Sequence, residues 1–533
     1  MNDKDKFRLE APLGAPATDE LKRKWPMKVV SCDQRSKSIS STSNEILAKA
    51  RGRATLTRGV GILFAVVSIS AAAAVAGYIP NLKHFFDPTG AVATFNTAGD
   101  IDRKTAFFQS LGTNGRSCES CHQADQAFSL SASHVRELYE RTRGADPLFA
   151  AVDGANCPDA EPGDRDAHSL LLSRGLIRVA ITLPSNPQFT IAVAHDPYGC
   201  AIAYDSASGR QIISVYRRPL PTTNLRYLST IMFDGRESIL PLTNSQTFPA
   251  DLTADLTHQA LSAIQTHAQA STEPTAAQLA EIVNFELGLS TAQIRSHRVG
   301  QLDRDEATGG PLVLSAQPYY PGANDSLGHD PSGAPFNPSA FTLYKPWADS
   351  RNEERADIAA GEVVFNSAVA IITDVRGLND NPALNSPASI TGTCTTCHDS
   401  PNVGNHSLPL PLDIATSRQA AMETNPKIVA GLQQLSPPDM PVYEIRGCPD
   451  PQNPQHTLVF YTSDPGKGLV TGQCTDVGRG KGLILRGLAA RAPYFHNGAA
   501  ANLKELVEFY NLRFDMNLSN RQKHDLIAFL NSL

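Results

Sequence analysis

The chain has 533 residues, 41% hydrophobic and 19% charged, with a net charge of −6. This is the balance of an ordinary soluble globular protein with room for two or three domains, and it sets nucleic acid aside as a partner.

Residues 1–58 are rich in Ser, Lys and Pro and lack periodicity, which predicts a disordered leader. They carry 13 Lys+Arg against 7 Asp+Glu, leaving 34 basic and 46 acidic residues in the remainder, an acidic body suited to steering a basic partner. From Gly59 to Leu82 there is no charge, and Arg51, Arg53 and Arg58 precede the stretch. The positive-inside rule then leaves the leader cytoplasmic and exports the rest. Residues 59–80 are long enough to anchor in a bilayer, while Ala74-Val75-Ala76 also reads as a signal cleavage site. A 58-residue leader is long for a signal peptide, so the anchor is preferred unless translation starts at Met27.

Residues 100–111 are predicted to form a short helix leading into Cys118-Glu119-Ser120-Cys121-His122. A helix over 127–143, capped by Ser131 or Ser133, follows, and 169–183 is periodic enough for another. Residues 189–193 and 211–216 alternate like strands and predict a small β insertion. Helical spacing returns over 255–269 and 276–293, where Leu279, Ile282, Val283, Phe285, Leu287 and Leu289 give a broad apolar face. Gly, Pro, Asn and Asp crowd 303–350, predicting a linker or wrap-around arm. The pattern then restarts: a helix over 353–365, the pentamer Cys394-Thr395-Thr396-Cys397-His398, and helices over 503–510 and 520–530.

Both pentamers are C-x-x-C-H, the attachment signature of a c-type haem. Two thiols add across the porphyrin vinyl groups, and the adjacent His ligates iron. With nine Cys and fourteen His in the chain, chance gives roughly 0.004 such pentamers. The alternatives are a structural zinc site, which wants four ligands in close register, and a thioredoxin-like redox pair. Of the other cysteines, Cys32 stands alone. Taken in order, Cys157 with Cys200 and Cys448 with Cys474 would each close a local loop; the alternative is four buried free thiols. Covalent haem and disulfides both suit an oxidising space, so the expected location is the periplasm, anchored at the inner membrane or released there by cleavage.

The expected architecture is mainly α: two haem-c (cytochrome c-like) domains in tandem, with loop and small β insertions, preceded by a transmembrane or signal segment. The expected divisions are a leader at 1–58, an anchor or signal at 59–80, an N-terminal haem-c domain at 95–300, an arm at 301–350 and a C-terminal haem-c domain at 351–533.

Paired haem motifs, Met232-Phe233-Asp234-Gly235-Arg236 between them, and Ala492-Pro493-Tyr494-Phe495-His496-Asn497-Gly498 near the C-terminus resemble the bacterial di-haem cytochrome c peroxidase superfamily, MauG-like enzymes included. The resemblance covers about 95–300 and 350–533. It implies two covalent haem c groups, with His122 the proximal ligand of a peroxide-reactive haem and His398 that of a relay haem. It implies Tyr510, or else Met516, on the opposite face of the second haem; a Met favours a high potential and a phenolate favours ferric iron. Helix packing is the plain alternative for either. Calcium between the domains and homodimers are common in the family, though the Asp325 and Asp330 loop is too loose a pattern to define a calcium site.

Two departures stand out. Phe233 replaces the usual Trp, and Phe is far harder to oxidise. The family's distal Glu has no counterpart in Gln265-Thr266-His267-Ala268-Gln269. His267 is therefore the candidate proton carrier. His134 is a second candidate for the distal side of the first haem, in the loop where the resemblance implies an opening or closing His ligand. An exposed or packed helical His is the plain reading of each. Arg236 is the candidate for holding a haem propionate or peroxide. His496 is expected near the second haem or between the haems, and His406 beside the second.

The expected function is an exported peroxidase taking hydrogen peroxide at the first haem and electrons through the second, from a small cytochrome c or cupredoxin. Two rivals are an inert di-haem electron carrier and an oxygenase resembling the di-haem rubber-cleaving enzymes, for which a pocket lacking the distal Glu would suit O₂.

Overall fold

A computed structural model describes residues 77–161, 163–450 and 455–533, all within one compact unit. The predicted leader, Cys32 and most of the predicted membrane stretch lie outside the described residues. Where description begins, Tyr78–Ile79 is a strand paired with Ile101–Asp102. Among the described residues no helix is long and apolar enough to cross a membrane.

The mainly α expectation is overturned. Helices take 30% and strands 17% of the described chain, with the strands spread over five small sheets. Two tandem helical haem-c domains do not emerge. Instead, Val442–Pro449 pairs on one side with Thr457–Thr462 and on the other with Thr190–His195, so one sheet draws on both halves of the sequence.

The sheets account for the shortened helices. The helix Ser169–Arg174 stops at Gly175, whose left-handed φ of 64° lets its N–H close onto Leu171 O. The β-branched run Ile177–Thr182 then pairs with Gln211–Arg217. Likewise Ala276–Gly288 opens on a Thr275–Gln278 capping box and ends where Leu289–Ser296 pairs along the buried strand Gly90–Asn96. Of the predicted helix over 100–111, only the single turn Ala106–Phe108 remains, because Ile101–Asp102 is claimed by its strand partner. The expected β insertion is divided: Thr190–His195 and Gln211–Arg217 belong to different sheets.

Several helices match the reading more closely. Ala132–Thr142 is capped by Ser131, and Phe248–Thr266 starts earlier than expected. Glu353–Ser367, Leu503–Arg513 and Asn520–Leu530 follow. Glu353–Ser367 and Asn520–Leu530 pack closely because Gly361 brings its backbone against Asp525 and Phe529. Trp347 is buried in the same core, its Nε1 donating to Arg304 O at 3.0 Å. Disulfides join Cys157 to Cys200 and Cys448 to Cys474, as the order of the cysteines suggested.

Candidate functional site

The two pentamers adopt one geometry. Each forms a single 3-10 turn, Cys118–Ser120 and Cys394–Thr396, preceded by an extended hydroxyl residue. Ser117 N–H donates to Ser120 Oγ at 3.2 Å, and Thr393 N–H donates to Thr396 Oγ1 at 2.9 Å. Such reciprocal caps satisfy donors that so short a turn would leave open. The following His N–H then donates back to the first cysteine's carbonyl, at 3.0 Å in one and 3.1 Å in the other.

Each imidazole is oriented identically. His122 Nδ1 donates to Phe128 O at 3.3 Å, and His398 Nδ1 donates to Gly404 O at 2.6 Å, both acceptors six residues on. A ring committed at Nδ1 presents the Nε2 lone pair, as an iron ligand must. Burial pushes His122 down to about 4 and lowers His398 too, keeping both neutral. The four motif cysteines are not disulfide-bonded, and burial raises Cys121, Cys394 and Cys397 to about 12.

Each motif opens on its own largely apolar cavity. The cavity beside His122 is about 170 Å³ and the one beside His398 about 240 Å³. Leu256, Ile264 and Ile282 wall the first; Leu412, Leu485 and Leu488 wall the second. The cavities share residues 218–221, Phe233, Lys481 and His496 as a common wall.

Two sequence candidates come together in the first cavity. His267, just past the end of Phe248–Thr266, hydrogen-bonds Asp153 through Nδ1, and buried Asp153 is also paired with Arg116. Burial pushes the Asp153 carboxyl up, but His267 and Arg116 outweigh it and hold the group below its usual range. Arg236 lines the same cavity and pairs with Asp234 at 3.0 Å. Asp234 also accepts from Arg217, which grips Asp464 through two nitrogens at 2.6 and 2.9 Å. Burial alone would raise Asp234, but Arg217 and Arg236 hold it at about 2. His134 lies elsewhere, in a surface hollow with Glu119 and Asp125.

Tyr510 and Met516 both line the second cavity. Tyr510 packs among Phe495, Phe509 and Phe514, and its hydroxyl has no hydrogen-bond partner among the described residues. His496 belongs to the shared wall. His406 lies in the wall of the second cavity.

Residues that sequence reasoning passed over also lie here. Glu286 is buried in the first cavity, its Oε2 unpartnered, and burial raises it to about 8. Its spacing of three and four from Val283 and Ile282, both on the apolar face, was the available signal. Lys481 donates from Nζ to Thr230 O at 3.0 Å, with burial lowering it to about 7. Asp153 sits in an irregular loop with no local signal.

The two pentamers suit haem and not a thiolate zinc site. Among the described residues, three or more His, Cys, Asp or Glu ligand atoms converge at Asp325–Asp399–His406 and at Asp357–His524–Asp525. Neither cluster contains a cysteine, whereas a structural zinc site gathers its thiolates. Asp330 takes N–H and O–H donors from Asn324, Ser332 and Tyr320, so its oxygens are spent on its own loop.

No family model and no curated protein matches this chain. Among solved structures, a MauG-like protein associated with microbial copper homeostasis is 13% identical, over 63% of this chain and 79% of that one. The TM-score is 0.24, a likeness too low to carry an argument.

Proposed function

We propose that this chain is an exported di-haem c oxidoreductase that reduces hydrogen peroxide. Cys118, Cys121 and His122 would hold one haem, and Cys394, Cys397 and His398 the other. One observation carries the reading: the same capped turn occurs twice, each time with a Nδ1-anchored imidazole beside its own apolar cavity.

The haem iron, when bound, supplies the redox chemistry, and the protein supplies orientation, protons and charge. Reduction of one peroxide to two waters takes two electrons and two protons. A small one-electron protein, a cytochrome c or a cupredoxin, would therefore be used twice. With Nδ1 held by Asp153, His267 offers Nε2 to accept or return a proton in the first cavity. Arg236 adds positive charge there, suited to a propionate or a peroxide anion. Tyr510, in the wall of the other cavity, is the residue that would help hold the second haem, its phenol favouring ferric iron. The two disulfides and the acidic body support an oxidising compartment and a basic donor.

Pyridine haemochromogen analysis of the purified chain should find two haem c per polypeptide and one in Cys121→Ala. Peroxide turnover with a reduced cytochrome c should follow. Fewer than two haems would end the reading. Two haems that neither bind cyanide nor turn over peroxide would make the protein an electron carrier instead.

A further inference from the structure

The second pentamer is backed by a buried group of ligands that the haem reading does not use. Asp325, Asp399 and His406 each bring a ligand atom within 4.8 Å of the others. They are 1%, 0% and 3% exposed. Asp325 Oδ2 takes donors from Leu327 N, His329 N and His329 Nδ1, leaving Oδ1 without a partner. Asp399 Oδ1 accepts from Ser407 N at 2.7 Å, and its Oδ2 likewise has no hydrogen-bond donor.

The unpartnered Asp399 Oδ2 faces His406 Nδ1 at 3.3 Å. The single lone pair of that nitrogen is held by the Leu408 N–H at 3.3 Å, a long contact that a cation would replace. With Asp399 ionised, two electron-pair donors confront one another in the interior beside a second carboxylate, and burial accordingly pushes the Asp399 carboxyl well up. No Lys or Arg pairs with either carboxylate among the described residues; the basic groups facing them are His406 and half-exposed His329. Burying such a set without a counter-charge is costly. The other three-ligand cluster shows the contrast: Arg521 bridges Asp357 and Asp525 and offsets one of their two charges.

We propose that Asp325, Asp399 and His406 bind a divalent first-row transition cation, zinc or manganese. Imidazole with two carboxylates suits such ions, whereas calcium prefers oxygen throughout. The site would rivet the 303–350 arm to the loop that aims His398. Its surroundings already join those segments: Asn324 Nδ2 donates to Asp399 O at 3.0 Å, Ser326 Oγ to Thr396 O at 2.6 Å and Gly322 N to Ser407 O at 2.9 Å. Gly404 O, which orients His398, lies within the same loop. The inference does not require the haem reading: its ligands lie outside both pentamers, although Asp399 follows His398 and His406 lines the second cavity, so metal content is counted apart from haem iron.

The test is metal analysis by plasma mass spectrometry on the full chain expressed with zinc and manganese supplied, with haem iron counted separately. About one zinc or manganese per chain is expected. That content should fall to near zero in Asp325→Asn and Asp399→Asn and stay unchanged in Asp525→Asn. A crystal of the wild-type chain should give an anomalous peak between Asp399 Oδ2 and His406, a readout that survives poor folding of the variants. Wild-type protein without a zinc or manganese ion, or metal retained in both Asn variants, would overturn the site. Stoichiometric calcium lost in the same variants would overturn the transition-metal assignment.

Discussion

Phe233 lies flat against His496, with ring centroids 4.0 Å apart and an interplanar angle of 12°. The pair stands in the wall common to both cavities. Arg217 lies over the Phe233 ring, 5.2 Å from its centroid, and pairs with Asp234 and Asp464. A ring that resists oxidation thus occupies the partition between the two cavities.

The stack depends on a glycine. A Cβ on Gly480 would collide with the tip of the Phe233 ring, 2.8 Å from Cε1 and closer still to Cζ. Gly480→Ala should cost about 1–3 kcal/mol by overpacking. Combining it with Phe233→Leu should recover part of that loss, read as a coupling term in urea denaturation. Strict additivity would show that Gly480 does not set the ring's position.

His267→Gln should lower peroxide turnover about 10²–10⁴-fold while haem content holds. An undiminished rate would remove His267 from proton transfer.

Asp153→Asn should destabilise the fold by about 3–5 kcal/mol at pH 7, because Arg116 loses its buried partner. The Asp153 pKa is depressed in the folded state. Its contribution is therefore present above the unfolded value of about 3.9 and lost as pH falls through the lower folded value. The gap between variant and wild type should close in acid. Melting temperatures from pH 7 down to 3 would show it, and a gap constant with pH would count against the ion pair.

Glu286 has the opposite sign. Its folded pKa of about 8 lies above the unfolded value of about 4.3, so the folded state binds the extra proton between them. Stability should fall as pH rises through that window, by up to about 1.4 kcal/mol per unit. Glu286→Gln should flatten the slope, stabilising at pH 8 and changing little at pH 4. Parallel pH–stability curves would contradict a buried, unpartnered carboxyl.

Tyr510→Phe keeps the ring packing against Phe495, Phe509 and Phe514 but removes the hydroxyl, so it should alter the resting electron paramagnetic resonance spectrum while haem content holds. Met516→Leu should leave that spectrum as it is. The reverse pattern would transfer the axial role to Met516.

The order of residues determined the local chemistry. C-x-x-C-H fixes thiol and imidazole spacing along one turn, and the hydroxyls at 117, 120, 393 and 396 cap that turn without outside help. The outer helices Glu353–Ser367, Leu503–Arg513 and Asn520–Leu530 were also legible, because each carries its own cap and apolar spacing. Tertiary structure decided what needs a distant partner. Leu289–Ser296 is a strand because Gly90–Asn96 lies beside it. Asp153 meets His267 across 114 positions, and Asp325 reaches Asp399 from the arm. Pairing across such separations depends on where the chain returns in space, and spacing along the sequence does not record that.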